Sequence, residues 1–127
     1  METLQIQGTV NSPTVLFNAQ AGILEISGRS IPEAAHEFFA PLVKWLKEYA
    51  TSPADTTTLN LRLEYINSNS FKMILDIFRP LEDLYKDGKN VVVKWYYEED
   101  DEAMLEAAED YKDVLTLPFK VIAVEEF

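Results

Sequence analysis

The sequence predicts an α/β fold: a single domain over residues 1-127, with a mixed β-sheet and about three helices in the order βββαβαβαβ. Three observations predict it. Leu59, Leu61, Leu63 and Tyr65 alternate with period two, and β-branched and aromatic residues crowd Val91 to Tyr97, as strands require. Apolar residues recur at helical spacing in three stretches that interleave with those strands. Turn-forming residues cut the first thirty positions into short pieces. The 127 residues are 47% hydrophobic and 26% charged, which suits one globular domain with a two-layer core and not a disordered chain.

Three short strands open the chain. Leu4, Ile6 and the pair Thr9 and Val10 lead to a turn at Asn11, Ser12 and Pro13. Thr14 to Phe17 and Ile23 to Ser27 follow, separated at Ala21 and Gly22. Such punctuation is hairpin-like, so antiparallel pairing is expected. Ser30 to Glu33 then reads as a helix start. Ser30 is placed to cap the Glu33 amide, Glu33 to return the bond, and Pro32 to occupy a position that needs no donor.

The first helix carries Ala35, Phe38, Phe39, Leu42, Val43, Leu46 and Tyr49 on a broad face, with Pro41 expected to kink it. Thr51 to Asp55 is the exit loop, and the alternating strand from Thr57 runs to Ile66. A polar turn, Asn67 to Ser70, leads into a second helix bearing Met73, Ile74, Ile77, Phe78, Leu81, Leu84 and Tyr85. That helix also contains Pro80 and stops at Asp87 and Gly88, glycine being the natural left-handed cap. Val91 to Tyr97 reads as a central strand. The acidic stretch Glu98 to Glu102 enters a third helix with Met104, Leu105, Ala108, Tyr111 and Leu115, and Phe119 to Val124 is the last strand.

Composition excludes several functions. A net charge of -11 argues against nucleic acid and anionic membranes, whose phosphates call for Lys and Arg. No cysteine means no disulfide, thiolate zinc site or cysteine nucleophile. The N-terminus has no basic region followed by an apolar run, and no stretch approaches the roughly 20 apolar residues of a membrane span. A cytoplasmic location is the expectation. The four glycines form no phosphate-cradling loop, so no cofactor is implied. His36, the one histidine, reads as a surface or half-buried helix residue and not as a lone base. Trp45, Trp95, Tyr96 and Tyr97 read as core or interface aromatics.

Two features remain for function. Ser68 and Ser70 stand where a strand turns into a helix. Either could cap that helix, and either could be a phosphorylation switch, because a phosphoryl group adds about -1.5 to -2 charges beside free amides and a positive dipole end. The acidic run could be a solvated helix start, a divalent-cation site or a docking surface for basic side chains. If the strands ending at Ile66 and Tyr97 are parallel neighbours, Ser68 and Glu98 to Glu102 share one edge of the sheet, where ligands meet open α/β sheets.

The ordered set Ser30-Ile-Pro-Glu33, Phe39-Ala-Pro-Leu42 with Trp45, Leu46 and Tyr49, Leu63-Glu-Tyr-Ile-Asn-Ser68, Val93-Lys-Trp-Tyr-Tyr-Glu98 and Asp100-Asp-Glu-Ala-Met104 resembles the SiaC family of bacterial regulatory phosphoproteins. The resemblance covers roughly residues 4 to 120. It implies a STAS-like fold of the anti-sigma-factor-antagonist type and a partner-switching pathway. The implied partners are a serine/threonine kinase of the histidine-kinase-like ATPase type, a PP2C-type phosphatase and a diguanylate cyclase that the unphosphorylated form activates. Biofilm control through cyclic-di-GMP follows from the last. Carried onto this chain, the phospho-acceptor is Ser68, directly after Asn67. Asn69 interrupts the hydroxyl run usual in the family, which leaves Ser70 as runner-up. The expected partner-binding residues are Asn67, Ser68, Asn69, Ser70, Lys72, Glu98, Glu99, Asp100 and Asp101. Two other readings stand beside this one: a small metal-dependent enzyme using Asp100, Asp101 and Glu102, and a constitutive acidic adaptor.

Overall fold

In the computed structural model, which describes residues 1–127, nine elements follow one another. They are β1 (Leu4–Ile6), β2 (Thr14–Asn18), β3 (Ile23–Ser30), α1 (Ala35–Tyr49), β4 (Thr56–Ile66), α2 (Ser68–Lys86), β5 (Asn90–Glu98), α3 (Glu102–Val114) and β6 (Phe119–Val124). The order is βββαβαβαβ, as the periodicities require. The strands form one six-stranded sheet in sequence order. β1, β2 and β3 pair antiparallel as hairpins, and β3 through β6 pair parallel, each parallel step made by one helix.

Because the parallel strands advance in one direction and such crossovers share one hand, all three helices fall on the same face. Burial agrees. Leu59, Leu61 and Leu63 of β4 and Val91, Val93 and Trp95 of β5 join Leu42 and Leu46 of α1, Ile74 and Phe78 of α2, and Met104, Ala108 and Tyr111 of α3 in one core. The opposite face is open, with Leu16 and Ile23 exposed and the Arg62 guanidinium laid 4.0 Å over the Tyr96 ring.

Several sequence expectations are corrected. Ser30 does not cap a helix: it is the buried last residue of β3, paired in register with Ile66, and α1 begins at Ala35 without a side-chain cap. Pro32 offers the reason, since it holds Ile31 in extended backbone and delays the helix. Thr9 and Val10 lie outside β1, in a turn closed by the Thr9 hydroxyl accepting from the Asn11 and Ser12 amides. Tyr85 is exposed although it sits at core spacing on α2. Tyr65 does not share the buried face of Leu63: a register irregularity between Gly28 and Arg29 pairs it with Arg29, whose guanidinium lies 5.6 Å from its ring, and it is 47% exposed. Leu115 caps α3 from just outside it.

The end of α2 is as read. Gly88 takes φ +88°, its amide donates to the Tyr85 carbonyl at 3.0 Å, and the Lys89 amide donates to Leu84 at 3.1 Å. Near that end a buried carboxylate ties α2 to the connection before β6. Glu82 accepts from the Thr116 amide at 2.9 Å, the Thr116 hydroxyl at 3.2 Å and Arg79 at 2.9 Å. Burial pushes its carboxyl upward, but those donors outweigh it and hold the group below its ordinary value.

Candidate functional site

β4 and β5 are parallel neighbours, so both end on one edge of the sheet, and α2 and α3 both start there. Asn67 makes the turn. With φ -90° and ψ 175°, its side-chain oxygen accepts from the Ser70 amide at 2.8 Å, so Asn67 is the N-cap of α2 and neither serine is. Its own amide donates to the Ser30 carbonyl at 3.1 Å, pinning the turn to the end of β3.

The two serines have opposite environments. Ser68, the first residue of α2, is exposed. Ser70 is fully buried: its hydroxyl donates to the Ser30 carbonyl at 2.8 Å and shares a 2.7 Å bond with the Ser30 hydroxyl. Asn69 and Lys72 are exposed.

Across from Ser68, the acidic stretch divides. Asp101 caps α3, accepting from the Met104 amide at 3.1 Å. Glu98 ends β5, and the Glu99 amide donates to Val124 at 2.8 Å. No three acidic or histidine side chains gather as a ligand set, so the metal-dependent reading that drew on Asp100, Asp101 and Glu102 has no assembled site. His36 is exposed and lines a separate groove between α1 and α2, which Pro80 also lines.

A groove of about 380 Å³ opens between the start of α2 and α3. Asn67, Ser68, Phe71 and Lys72 form one wall, Asp101, Met104, Glu106, Ala107 and Asp110 the other, and Tyr65 and Ile66 its head. Of the residues expected to meet a partner, Asn67, Ser68, Lys72 and Asp101 are brought together here. Asn69, Ser70, Glu98, Glu99 and Asp100 do not line it. Sequence reasoning did not identify Phe71, Glu106, Ala107 and Asp110 as part of this surface. Their signal was the helical spacing 103, 106/107, 110 on α3 facing 68, 71/72 on α2, which becomes visible only once the two helices are known to be neighbours.

The groove has a rigid floor. Phe71 stacks on Tyr111 with centroids 4.4 Å apart, and the buried Tyr111 hydroxyl donates to the Phe71 carbonyl at 2.7 Å. Burial and the nearby Asp110 push the Tyr111 phenol far above its ordinary value, so it stays a neutral donor. An exposed hydroxyl at the positive end of a helix, beside an apolar floor with an acidic far wall, suits a charge-changing modification that controls docking.

The chain matches known proteins over nearly its whole length. A family model described as "SiaC family regulatory phosphoprotein" matches residues 6–124. An uncharacterized protein of Pseudomonas aeruginosa (strain UCBPP-PA14) is 32% identical over 126 residues, 99% of this chain and 100% of that protein. The structure of SiaC of Pseudomonas aeruginosa superimposes with a TM-score of 0.90 at 31% identity, covering 98% of this chain and 100% of that one. A crystal structure of the diguanylate cyclase SiaD in complex with its activator SiaC, from the same organism, contains a chain matching with a TM-score of 0.89 at 32% identity, over 95% of this chain and 99% of that one.

Proposed function

This chain belongs to the SiaC family of regulatory phosphoproteins, and on that premise we propose that it is a non-enzymatic phospho-switch acting in the cytoplasm. Unphosphorylated, the edge around Asn67, Ser68 and Lys72, with Asp101 opposite, docks on and activates a diguanylate cyclase. Phosphorylated on Ser68, it releases the cyclase. The kinase is of the histidine-kinase-like ATPase type and the phosphatase of the PP2C type.

The observation that carries this reading is the contrast between the two hydroxyls. A kinase needs the acceptor oxygen presented to solvent, and Ser68 is exposed where Ser70 is buried with its proton engaged by the Ser30 carbonyl. The complex of SiaD with its activator SiaC supports the choice of effector class. A phosphoryl group on Ser68 would stand at the groove opposite Asp101, adding about -1.5 to -2 charges across from a wall that is already acidic. Loss of fit and repulsion then act together.

The test treats the chain with its cognate kinase and ATP and maps the phosphate by mass spectrometry. Modification at Ser68 is expected, with Ser68→Ala unmodified. Phosphate found only at other positions would sink the assignment.

A further inference from the structure

The sheet has two edges, β1 and β6, and they are unlike. β1 is three residues long, and a short edge strand offers little to pair with. β6 runs six residues, pairs with β5 without a register shift and holds no proline, and Lys120 is its one charge. The Val93 amide donates to the Pro118 carbonyl at 2.9 Å and the Glu99 amide to Val124 at 2.8 Å, so the even-numbered residues of β6 turn their backbone groups to β5. Alternate residues of a ladder face the other way, which leaves the amides and carbonyls of Phe119, Val121 and Ala123 on the outer side. The tail does not cover them. It bends at Glu125, and Glu126 and Phe127 line a hollow on the open sheet face with Glu25 and Arg62.

This edge is cationic at one end and anionic at the other. On the open face Lys120 lies in register with Lys94, Ile122 with Tyr96, and Val124 with Glu98. Two lysines therefore sit side by side at the start of β6, while Glu98, Glu125 and Glu126 gather at its end. None of these charges takes part in an ion pair, and like charges on neighbouring strands repel. Such a strand complements a second copy of itself run antiparallel. Run parallel, it would set lysine against lysine.

We propose that β6 is a self-association edge, at which two copies of the chain pair their β6 strands antiparallel about Ile122. Val121 exchanges both backbone hydrogen bonds with the second copy's Ala123, and the reverse pair does the same. The two Ile122 side chains meet on the two-fold axis with a Tyr96 ring on either side, a pairing that sheets favour. Lys120 falls beside the second copy's Val124. That copy's Glu98 is one strand further, about 10 Å away at the backbone and within reach of two long side chains. Glu98, which stays outside the groove beside Ser68, thereby gains a partner. The paired segment is short, so the dimer is weak and forms with concentration. Because the paired strands run oppositely, the two Ser68 edges lie at opposite ends of the joined sheet.

The test is sedimentation equilibrium of the full chain up to millimolar concentration, with amide hydrogen exchange read by NMR at both ends of that range. A monomer–dimer equilibrium is expected. The Val121 and Ala123 amides exchange fast in the dilute chain and slowly in the concentrated one, whereas those of Lys120, Ile122 and Val124 are slow in both. Lys120→Glu and Glu98→Lys each weaken pairing about tenfold, since each sets like charges together twice in the dimer. An equimolar mixture of the two variants recovers wild-type affinity, because every such contact in the mixed dimer again joins opposite charges. Lys44→Glu, on α1 and away from this edge, leaves pairing unchanged. A chain monomeric throughout, a dimer whose Val121 and Ala123 amides stay fast, or a mixture no tighter than its components overturns the inference.

Discussion

Replacing Ser70 by alanine separates a structural hydroxyl from a regulatory one. The Ser70 hydroxyl donates to the Ser30 carbonyl at 2.8 Å, so the 2.7 Å contact between the two side chains must be the Ser30 hydroxyl donating to Ser70. In Ser70→Ala the Ser30 carbonyl keeps the Asn67 amide at 3.1 Å, but the Ser30 hydroxyl, fully buried, is left without its acceptor. An orphaned buried hydroxyl costs about 1–3 kcal/mol. For a chain of this length that lowers Tm by roughly 4–12 °C. Ser30→Ala orphans nothing, because Ser70 still donates to the same carbonyl, and should cost only about 0.5–1.5 kcal/mol. The double variant removes the orphan as well, so its cost should fall below the sum of the singles by roughly 1 kcal/mol. Urea unfolding of these four proteins and of Ser68→Ala measures the costs, with kinase treatment and intact mass run in parallel. Ser70→Ala should still take up one phosphate, and Ser68→Ala should take up none at unchanged stability. Additive costs would rule out the Ser30 hydroxyl as a donor to Ser70, and loss of phosphorylation in a folded Ser70→Ala would rule out a purely structural Ser70.

Asn67→Ala removes the cap on α2 and should cost about 1 kcal/mol by denaturation, and Asp101→Ala should do the same at α3. Glu82→Gln keeps the shape but loses the charged acceptor facing Thr116, at about 1–2 kcal/mol near pH 7, the half-exposed Arg79 adding little. Since the folded-state value of Glu82 lies below 4.5, wild type carries this stabilisation in full above 4.5 and loses it as pH falls through the folded value. The gap between the two proteins should therefore close on acidification, and a gap constant down to acid pH would contradict the assignment. Gly22→Ala should cost more than about 2 kcal/mol, because φ is +67° there and the added carbon would run into the Thr56 carbonyl; a neutral melting curve would contradict that.

The element order was legible because each helix and long strand carries its own period. Leu59, Leu61 and Leu63 alternate cleanly, and Gly88 ends α2 where an αL residue belongs. What failed was local chemistry overridden by tertiary contacts. The Ser30 to Glu33 stretch has the composition of a capping box, but Ser30 is held in β3 by its ladder with Ile66 and its bonds to Ser70, forty residues away. The same long-range bond decides which serine is free, and no reading of Asn67 to Ser70 by itself shows it. The parallel pairing of β4 and β5 was expected conditionally, and it puts Ser68 and Asp101 on one edge. The groove's far wall on α3 depends on how two helices lie side by side, so Glu106 and Asp110 carried no signal of their own.

In the proposed switch, a phosphate on Ser68 controls access of the effector to the groove between α2 and α3. The most direct measurement titrates unmodified and stoichiometrically phosphorylated chain into the cognate diguanylate cyclase and records cyclic-di-GMP synthesis. The unmodified chain should activate, the phosphorylated chain should not, and Ser68→Ala should activate equally before and after kinase treatment. Equal activation by the two forms of the wild-type chain would rule out control by a phosphate on Ser68.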